Sequence, residues 1–226
     1  MASGGEIDVP GRLLAIGDIH GCRMALETLL QELSPTPSDI LVTLGDYVDR
    51  GPDSRGVIDV LIELGKRTRL VGLLGNHEEM MLDVIRHGHP HHGWLRHGGV
   101  ETLDSYGFDG NLNSLSPEHE QFFDSLGDYF VFDDFFFTHA AYDPDADFEH
   151  QTTDMLRWHS LNEGMPGPHI SGKTAVVGHT ANRNGEVLDV GHLVCLDTFC
   201  YGGRWLTAMD MKTRQIWQAS DDGQLR

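Results

Sequence analysis

Three short apolar segments each run into a glycine followed by polar side chains, and this pattern constrains the fold more than any other feature. The segments are Leu13–Ile16, 40–44 and 70–74. A short apolar run that stops at a glycine is typical of a buried strand. Residues 22–33 and 54–64 lie between these runs and carry apolar side chains at helical spacing. The order strand, helix, strand, helix, strand indicates a parallel sheet with right-handed crossovers.

Side chains that can bind metals follow these strands at the point where each strand ends. Asp18 and His20 follow the first strand, Asp46 follows the second, and Asn76 follows the third. Two later apolar runs end at His139 and His179. Ligands of open α/β sheets bind at the carboxyl ends of the strands, so we expect these side chains to meet.

The types of donor atom in this set predict the kind of metal site. Carboxylate and amide oxygens mixed with imidazole nitrogens favour Mn, Fe or Zn in five- or six-coordinate sites. A carboxylate such as that of Asp46 can also bridge two ions ~3.5–4 Å apart, as in two-metal hydrolases. Taken singly, an aspartate after a glycine is more often a turn former, and a lone histidine is more often a hydrogen-bonded surface or core group. Only the joint placement at successive strand ends favours the metal site.

Periodicity also predicts helices and strands outside the three glycine-rich blocks. The spacing of apolar residues predicts helices over 78–86, 100–106, 117–126 with Ser116 as N-cap, and 153–158. It also predicts two strands within 130–138 joined by a turn at Asp133-Asp134, and an antiparallel sheet over 175–218. A loop is expected between the first two helices, where five histidines crowd among glycines and a proline: His87, His89, His91, His92 and His97. This cluster is interpreted as an exposed loop, with a further metal site or a rim of the active-site groove as alternatives.

Length and composition limit the class of protein. A chain of 226 residues without a convincing linker predicts a single domain, 1–226, whose first residues, 1–11, form a polar arm. That arm has neither the positive start nor the apolar centre of a secretory signal. No run of ~18 apolar residues predicts a membrane span. Three cysteines at unpaired spacing indicate reduced thiols, so we expect a cytoplasmic protein.

The charge of the chain bears on its partners. A formal net charge of -19 disfavours binding to nucleic acids and to anionic membranes, because both present phosphate that needs cationic contacts. Chemistry on a phosphate group would therefore need positive charge supplied locally. Bound divalent cations and a few arginines would provide it.

The three glycine-rich blocks resemble the signature blocks of a known family. Gly17-Asp18-Ile19-His20-Gly21, Gly45-Asp46-Tyr47-Val48-Asp49-Arg50-Gly51 and Gly75-Asn76-His77-Glu78 are similar to those of the PPP family of metallophosphoesterases, and His139-Ala140 and Gly178-His179-Thr180 fit its fourth and fifth blocks. Chain length and the short second half are most similar to the bacterial and phage lambda-type serine/threonine protein phosphatases. The resemblance implies a calcineurin-like α/β fold, with a central mixed β-sandwich flanked by helices (αββα).

The resemblance also implies roles for individual residues. Asp18, His20 and Asp46 would hold a first metal, and Asp46, Asn76, His139 and His179 would hold a second. The two ions would be divalent transition metals, with Mn favoured and Fe or Zn as alternatives. A hydroxide that bridges them, its pKa lowered by both, would attack phosphorus in line.

Four further residues match the catalytic and phosphate-binding positions of the family. His77 would act as the general acid that protonates the leaving oxygen, and Asp49 would orient it. Arg50 would bind phosphoryl oxygens, to which its planar fork of donors is suited. Arg157 matches a second phosphate-binding arginine by its place between the two histidine blocks, and its alternative is a surface arginine packed on Trp158.

We therefore expect a metal-dependent phosphomonoesterase that acts on phosphoserine and phosphothreonine in proteins. A symmetrical bis(5'-nucleosyl)-tetraphosphate hydrolase is the alternative with the same core, because the surface around the site and not the fold selects the substrate. A catalytically silent regulatory or scaffold protein is an alternative of another class. The substrate would be a phosphoprotein or a small phosphoester, and the sequence predicts no oligomeric state.

Overall fold

The computed structural model describes residues 11–89, 92–110 and 115–226. The predicted polar arm over 1–11 lies almost wholly outside them. Ten strands are found in these ranges: β1 Leu13–Ile16, β2 Ile40–Thr43, β3 Arg69–Gly72, β4 Tyr129–Phe132, β5 Phe135–Thr138, β6 Thr174–Val177, β7 Leu188–Asp189, β8 Leu193–Cys195, β9 Leu206–Asp210 and β10 Ile216–Ala219. The α-helices in the same ranges are α1 Arg23–Leu33, α2 Ser54–Gly65, α3 Asn76–His87, α4 His92–Trp94, α5 Val100–Ser105, α6 Pro117–Asp124 and α7 Thr153–Arg157.

The first sheet has five strands in the order β10-β9-β1-β2-β3. Strands β1, β2 and β3 lie side by side, with β3 at the edge of the sheet, and are parallel, as the alternation of apolar runs predicts. Leu14 lies opposite Leu41, and Leu41 lies opposite Leu70. The crossover helices α1 and α2 bury their apolar stripes, including Leu29 and Leu61, in one core with this sheet. Fully burying one such side chain stabilises a fold by about 1.5–3 kcal/mol.

The second sheet also has five strands, in the order β4-β5-β6-β8-β7. Its β4–β5 hairpin turns at Asp133, whose φ of 55° is left-handed, and this confirms the predicted turn. The prediction of an antiparallel sheet over 175–218 is wrong in part. Strand β6 is parallel to both β5 and β8, and only β7 pairs with β8 in the antiparallel direction. Strands β9 and β10 are antiparallel but belong to the first sheet. Short apolar runs separated by glycines do not distinguish a hairpin from a strand that changes sheets.

The two sheets pack face to face and share a core. Ala15 and Val42 of the first sheet contact the same buried cluster as Phe137, Val176 and Val194 of the second. Helices α1 and α2 cover the outer face of the first sheet, and α7 with its flanking loops covers part of the second. The predicted mixed β-sandwich flanked by helices is therefore confirmed. Among the residues described, no helix combines the length and apolarity needed to cross a bilayer.

Two predicted boundaries near the strand ends need correction. Helix α3 begins at Asn76 and not at residue 78, because the Glu78 carboxylate accepts the N–H of Gly75 at 3.1 Å and caps the first turn. The expected loop over 87–99 contains α4 and a π-helical turn, Leu95–Gly99, that runs directly into α5. Its kink lies at Gly98, where φ is 108°. The glycines made this segment resemble a loop.

Candidate metal and phosphate site

The backbone reverses sharply where the strands end. Five of the residues singled out from the sequence have left-handed φ angles: His20 at 46°, Asp46 at 51°, Asp49 at 72°, Arg50 at 69° and His179 at 60°. Non-glycine residues seldom adopt this conformation, and each costs about 1–3 kcal/mol unless its surroundings compensate. The turns direct these side chains to one side of both sheets, at the carboxyl ends of β1, β2 and β6.

The carboxylate of Glu78 holds the second and third glycine-rich loops together. It is fully buried and accepts the N–H groups of four residues: Asp46 at 2.9 Å, Tyr47 at 2.7 Å, Val48 at 3.1 Å and Gly75 at 3.1 Å. The loops approach so closely that a Cβ on Gly75 would lie 2.2 Å from Oδ1 of Asp46. Glycine is therefore required there by contact alone.

Asp46 lies at the centre of the site, with one carboxylate oxygen toward each of two histidines. Oδ2 lies 3.4 Å from Nε2 of His20, and Oδ1 lies 3.4 Å from Nε2 of His139. Burial opposes ionisation of this group, but His139, His77 and His20 outweigh it and lower the pKa of Asp46. The carboxylate thus stays charged and has an oxygen available on each side.

Three acceptor atoms meet on the His139 side of Asp46. His139 donates its Nδ1–H to the carbonyl of Leu44 at 2.8 Å, and His179 donates its Nε2–H to the carbonyl of Trp158 at 3.0 Å. These bonds leave lone pairs on His139 Nε2 and His179 Nδ1, which lie 3.2 Å apart and each 3.1 Å from Oδ1 of Asn76. Three acceptors this close repel one another unless a cation lies among them. These residues therefore fit a divalent metal.

The other side of Asp46 has a similar excess of acceptors. His20 donates its Nδ1–H to the carbonyl of Val48 at 2.9 Å, so its Nε2 carries a lone pair. Asp18 accepts the backbone N–H of His179 at 2.9 Å and lies beside a second carboxylate, Asp197. Burial and the charges of Asp197 and Asp46 raise the pKa of Asp18, and burial raises the pKa of Asp197 to about 6. A cation here would relieve the repulsion between these carboxylates.

His77 and Asp49 form a buried hydrogen-bonded pair next to Asp46. Nδ1 of His77 lies 2.6 Å from Oδ2 of Asp49, and Nε2 lies 3.9 Å from Oδ2 of Asp46. Asp49 also accepts from the indole N–H of Trp94 at 2.9 Å and from the hydroxyl of Thr102 at 2.7 Å. With its oxygens held by three donors, Asp49 has one fixed orientation and fixes that of His77.

The four histidines of the site, three buried and His179 half-buried, divide into two electrostatic groups. Burial lowers the pKa of His20 and His139, and burial with the nearby His139 lowers the pKa of His179 to about 4. Burial would also lower the pKa of His77, but the carboxylates of Asp46 and Asp49 outweigh it and raise it. Three histidines are thus neutral and can bind a metal, whereas the fourth keeps a proton.

Arg50 reaches the His20 side of the cluster. Its Nη1 lies 3.0 Å from Nε2 of His20, and its guanidinium lies 4.5 Å from the centre of the Tyr201 ring. The same ring contacts His20 edge-on, with centroids 4.8 Å apart. Arg50 forms no ion pair with any residue that the structure describes, so its charge is available to an anion.

Arg157 is placed differently from Arg50. Its Nε and Nη2 donate to Asp128, the Nε bond measuring 2.9 Å, and its Nη1 donates to Glu79 at 2.9 Å. Two N–H groups, one on each terminal nitrogen, have no hydrogen-bond partner among the described residues. The residue that follows, Trp158, supplies the carbonyl that orients His179. Arg157 thus borders the cluster but forms no described hydrogen bond to any of the candidate metal-binding residues.

Sequence reasoning missed several residues that build this site. Glu78 stands in the third signature block without a predicted role, and no role is predicted for Asp197, Trp94, Thr102 or Tyr201. Only the position of Glu78 two residues after Asn76 offered a signal, since Glu at N3 caps a helix. Contacts such as that of Thr102 with Asp49 span 53 positions and leave no local pattern.

The described members of the histidine cluster are His87, His89, His92 and His97, and no three of them lie close enough to share an ion. Among the residues described, the groups close enough to share an ion are His20 with Asp46 and His77, and Asp46 with His139 and His179. His91 lies outside the described residues. The ring of His97 lies 6.4 Å from that of His77, so one member of the cluster does border the catalytic groove.

This fold and this arrangement of donors agree with a family comparison. The calcineurin-like phosphoesterase family matches residues 11–211, and the chain belongs to this family. A solved structure of a proposed diadenosine tetraphosphatase superposes with a TM-score of 0.71 at 26% identity, over 93% of this chain and 94% of that one.

Curated relatives match the chain over shorter stretches. Serine/threonine-protein phosphatase 1 of Salmonella typhimurium is 42% identical over 85 residues, which are 37% of this chain and 37% of that protein. The symmetrical bis(5'-nucleosyl)-tetraphosphatase of Acidovorax sp. is 48% identical over 71 residues, which are 31% of this chain and 25% of that protein. The alignments thus span well under half of each relative.

Proposed function

We propose that this protein is a metal-dependent phosphomonoesterase that removes phosphate from phosphoserine and phosphothreonine in proteins. The observation that carries the proposal is the arrangement around Asp46, whose two oxygens each face a neutral histidine while a protonated histidine lies on its third side. The similarity to a serine/threonine-protein phosphatase supports the substrate class.

The donors would hold two divalent ions, for which Mn is proposed ahead of Fe or Zn. Asp18, His20 and Asp46 would bind one ion, and Asp46, Asn76, His139 and His179 the other. Bound ions of this kind lower the pKa of a water enough to supply a nucleophile at neutral pH and offset the charge of the phosphoryl group. The mixed oxygen and imidazole donors support this choice of metals.

The side chains of the chain itself would orient the substrate and move a proton. Arg50 would donate to phosphoryl oxygens, supported by its unpaired guanidinium beside His20. Arg157 would donate through its two unbonded N–H groups. His77 would protonate the leaving alkoxide from Nε2, since Nδ1 is bonded to Asp49.

We also propose a cellular compartment and a class of partner for the protein. Cys22, Cys195 and Cys200 are all buried free thiols, which supports the cytoplasm, where thiols stay reduced. The excess of acidic groups supports a phosphoprotein or small phosphoester as partner and disfavours nucleic acid and anionic membranes.

A symmetrical dinucleoside tetraphosphate hydrolase is the second candidate. It is favoured by the likeness to a proposed diadenosine tetraphosphatase over nearly the whole of both chains. The same metal and proton chemistry would cleave a phosphoanhydride, whose better leaving group depends less on His77.

One comparison of substrates separates the two candidates. The kcat/KM for a phosphothreonine peptide and for diadenosine tetraphosphate is measured on one manganese-loaded sample. A preference beyond ~100-fold corresponds to about 2.7 kcal/mol of differential transition-state binding and identifies the substrate class. Hydrolysis of p-nitrophenyl phosphate on the same sample is the control for catalysis. Failure to release p-nitrophenol with Mn, Fe and Zn alike would support the silent scaffold.

A further inference from the structure

The π-helical turn Leu95–Gly99 is joined closely to the second glycine-rich loop. The backbone N–H of Arg50 donates to the carbonyl of Gly98 at 3.2 Å. A Cβ on Gly98 would lie only 2.4 Å from the backbone nitrogen of Arg50, and the φ of Gly98 is 108°. Glycine alone permits this approach. The turn is therefore fixed relative to the arginine that we propose to bind phosphate.

This turn brings Arg96 and His97 to the wall of a cavity that Arg50 also lines. The cavity has a volume of about 540 Å³ and is bounded on another side by Tyr201. The rings of His97 and His77 lie 6.4 Å apart and nearly perpendicular. Because His77 is the proposed donor to the leaving oxygen, the cavity adjoins the leaving-group side of the reaction.

Arg96 is a second arginine on this wall besides Arg50. It is exposed and forms no ion pair within 11–89, 92–110 and 115–226, although acidic residues outnumber basic ones 35 to 16 in the chain. Glu101 lines the same cavity and does not pair with it. His97 donates its Nδ1–H to the carbonyl of Gly93 at 2.8 Å, so its ring is held while Nε2 has no described partner.

We propose that this cavity binds an acidic side chain that neighbours the phosphorylated residue of a peptide substrate. This inference rests on the proposed function. The guanidinium of Arg96 fits a carboxylate through two parallel N–H donors. Val100, 48% exposed on the same wall, offers an apolar contact to the stem of that side chain. Glu101 and the net charge of -19 disfavour a multiply charged polyphosphate in its place.

The test uses pairs of phosphothreonine peptides in which one flanking position carries Glu or Gln. The kcat/KM of each pair is measured for the manganese-loaded wild type, Arg96→Ala and Arg67→Ala. Arg67 is an exposed arginine beyond the carboxyl end of α2 that forms no ion pair with the part of the chain that the structure describes, so its variant has the same change in charge. At one flanking position the wild type should prefer Glu by about fivefold, as expected for a partly exposed charge pair. The preference should fall close to one in Arg96→Ala and persist in Arg67→Ala.

Each other outcome counts against the proposal. No Glu preference at any position, or an equal preference in Arg96→Ala, would overturn it. A larger loss for diadenosine tetraphosphate than for the Glu peptide in Arg96→Ala would make the bound anion a phosphate. A wild type that hydrolyses p-nitrophenyl phosphate but neither peptide would refute the protein substrate itself, which is a separate failure.

Discussion

Nδ1 of His77 lies 2.6 Å from Oδ2 of Asp49, although the two residues are 28 positions apart. Trp94 and Thr102 donate hydrogen bonds to the same carboxylate, and these bonds fix the orientation of Asp49 in the pair. Asp46 and Asp49 raise the pKa of His77 against the effect of burial. The pair thus favours the protonated form of His77 beside the candidate metal-binding residues.

Replacement of Asp49 by Asn should weaken proton donation selectively. We expect kcat/KM to fall about 100-fold for phenyl phosphate and much less for p-nitrophenyl phosphate, whose leaving group needs no proton. Activity that needs protonated His77 is lost as pH rises through its pKa. Because Asp49 helps to raise that pKa, the alkaline limb of the pH profile should move to lower pH. Equal losses for both esters with an unmoved limb would refute the role of the pair.

Replacement of His139 by Ala should remove one metal site. The wild type should bind two Mn per chain, and the variant close to one, as measured by atomic absorption after dialysis. Added Mn should also stabilise the wild type, by about 2.7 kcal/mol for each site that is at 100 times its dissociation constant. His87→Ala, which changes an exposed histidine of the cluster, is the matched control. More than two ions in the wild type, reduced by His87→Ala, would instead assign a metal to that cluster.

Replacement of either arginine by Ala should raise the barrier of the reaction. For Arg50→Ala and Arg157→Ala we expect a loss in kcat/KM that corresponds to about 2–4 kcal/mol, as for removal of one preorganised contact. Arg157→Ala should also lower the urea midpoint, because it leaves Glu79 and Asp128 unpaired. A wild-type kcat/KM in that variant would show that Arg157 is purely structural. Arg55→Ala is the charge-matched control.

Replacement of Glu78 by Gln should destabilise the fold around the site. The amide has one acceptor oxygen in place of two, so some of the four N–H groups now bound would lose their partner in a buried region. We expect a loss of about 3 kcal/mol in the free energy of unfolding. Glu63→Gln, on the exposed surface of α2, should change it by less than about 0.5 kcal/mol. A small effect at Glu78 would contradict its role in joining the loops.

The Arg12–Asp39 pair should make stability depend on acid pH. Burial opposes ionisation of Asp39, but hydrogen bonds from Arg12 and Thr36 outweigh it and lower the pKa from 3.8 to about 2. The resulting stabilisation of about 2 kcal/mol is fully present above pH 3.8 and is lost as pH falls through about 2. Asp39→Asn should therefore be less stable than wild type at pH 7 and nearly equal at pH 2. Asp189→Asn, in an exposed ion pair, should show no such difference.

The local part of this structure could be predicted from the sequence, because it depends on periodicity. The three parallel strands, the helices between them and the hairpin turn at Asp133 follow from spacing and turn chemistry alone. The start of α3 at Asn76 and the π-helical turn after Trp94 could not, since a capping bond and a glycine kink decide them.

The candidate site shows the same division. The polar residues that follow the strands could be singled out because strand ends converge in this class of fold. The partners of Asp49 and Arg50 could not, because Trp94, Thr102 and Tyr201 reach them from distant segments. The ion pairs of Arg157 could not be predicted from the sequence either, since Asp128 and Glu79 lie 29 and 78 positions away.

The left-handed backbone of Arg50 gives stability and activity opposite requirements at this position. Its φ of 69° is one that glycine adopts freely, and its guanidinium touches only His20 and the Tyr201 ring among the described residues. A chain selected for heat tolerance alone would therefore gain from glycine at this position and lose its free cation. Library methods that reward folding without assaying turnover would therefore select against this arginine.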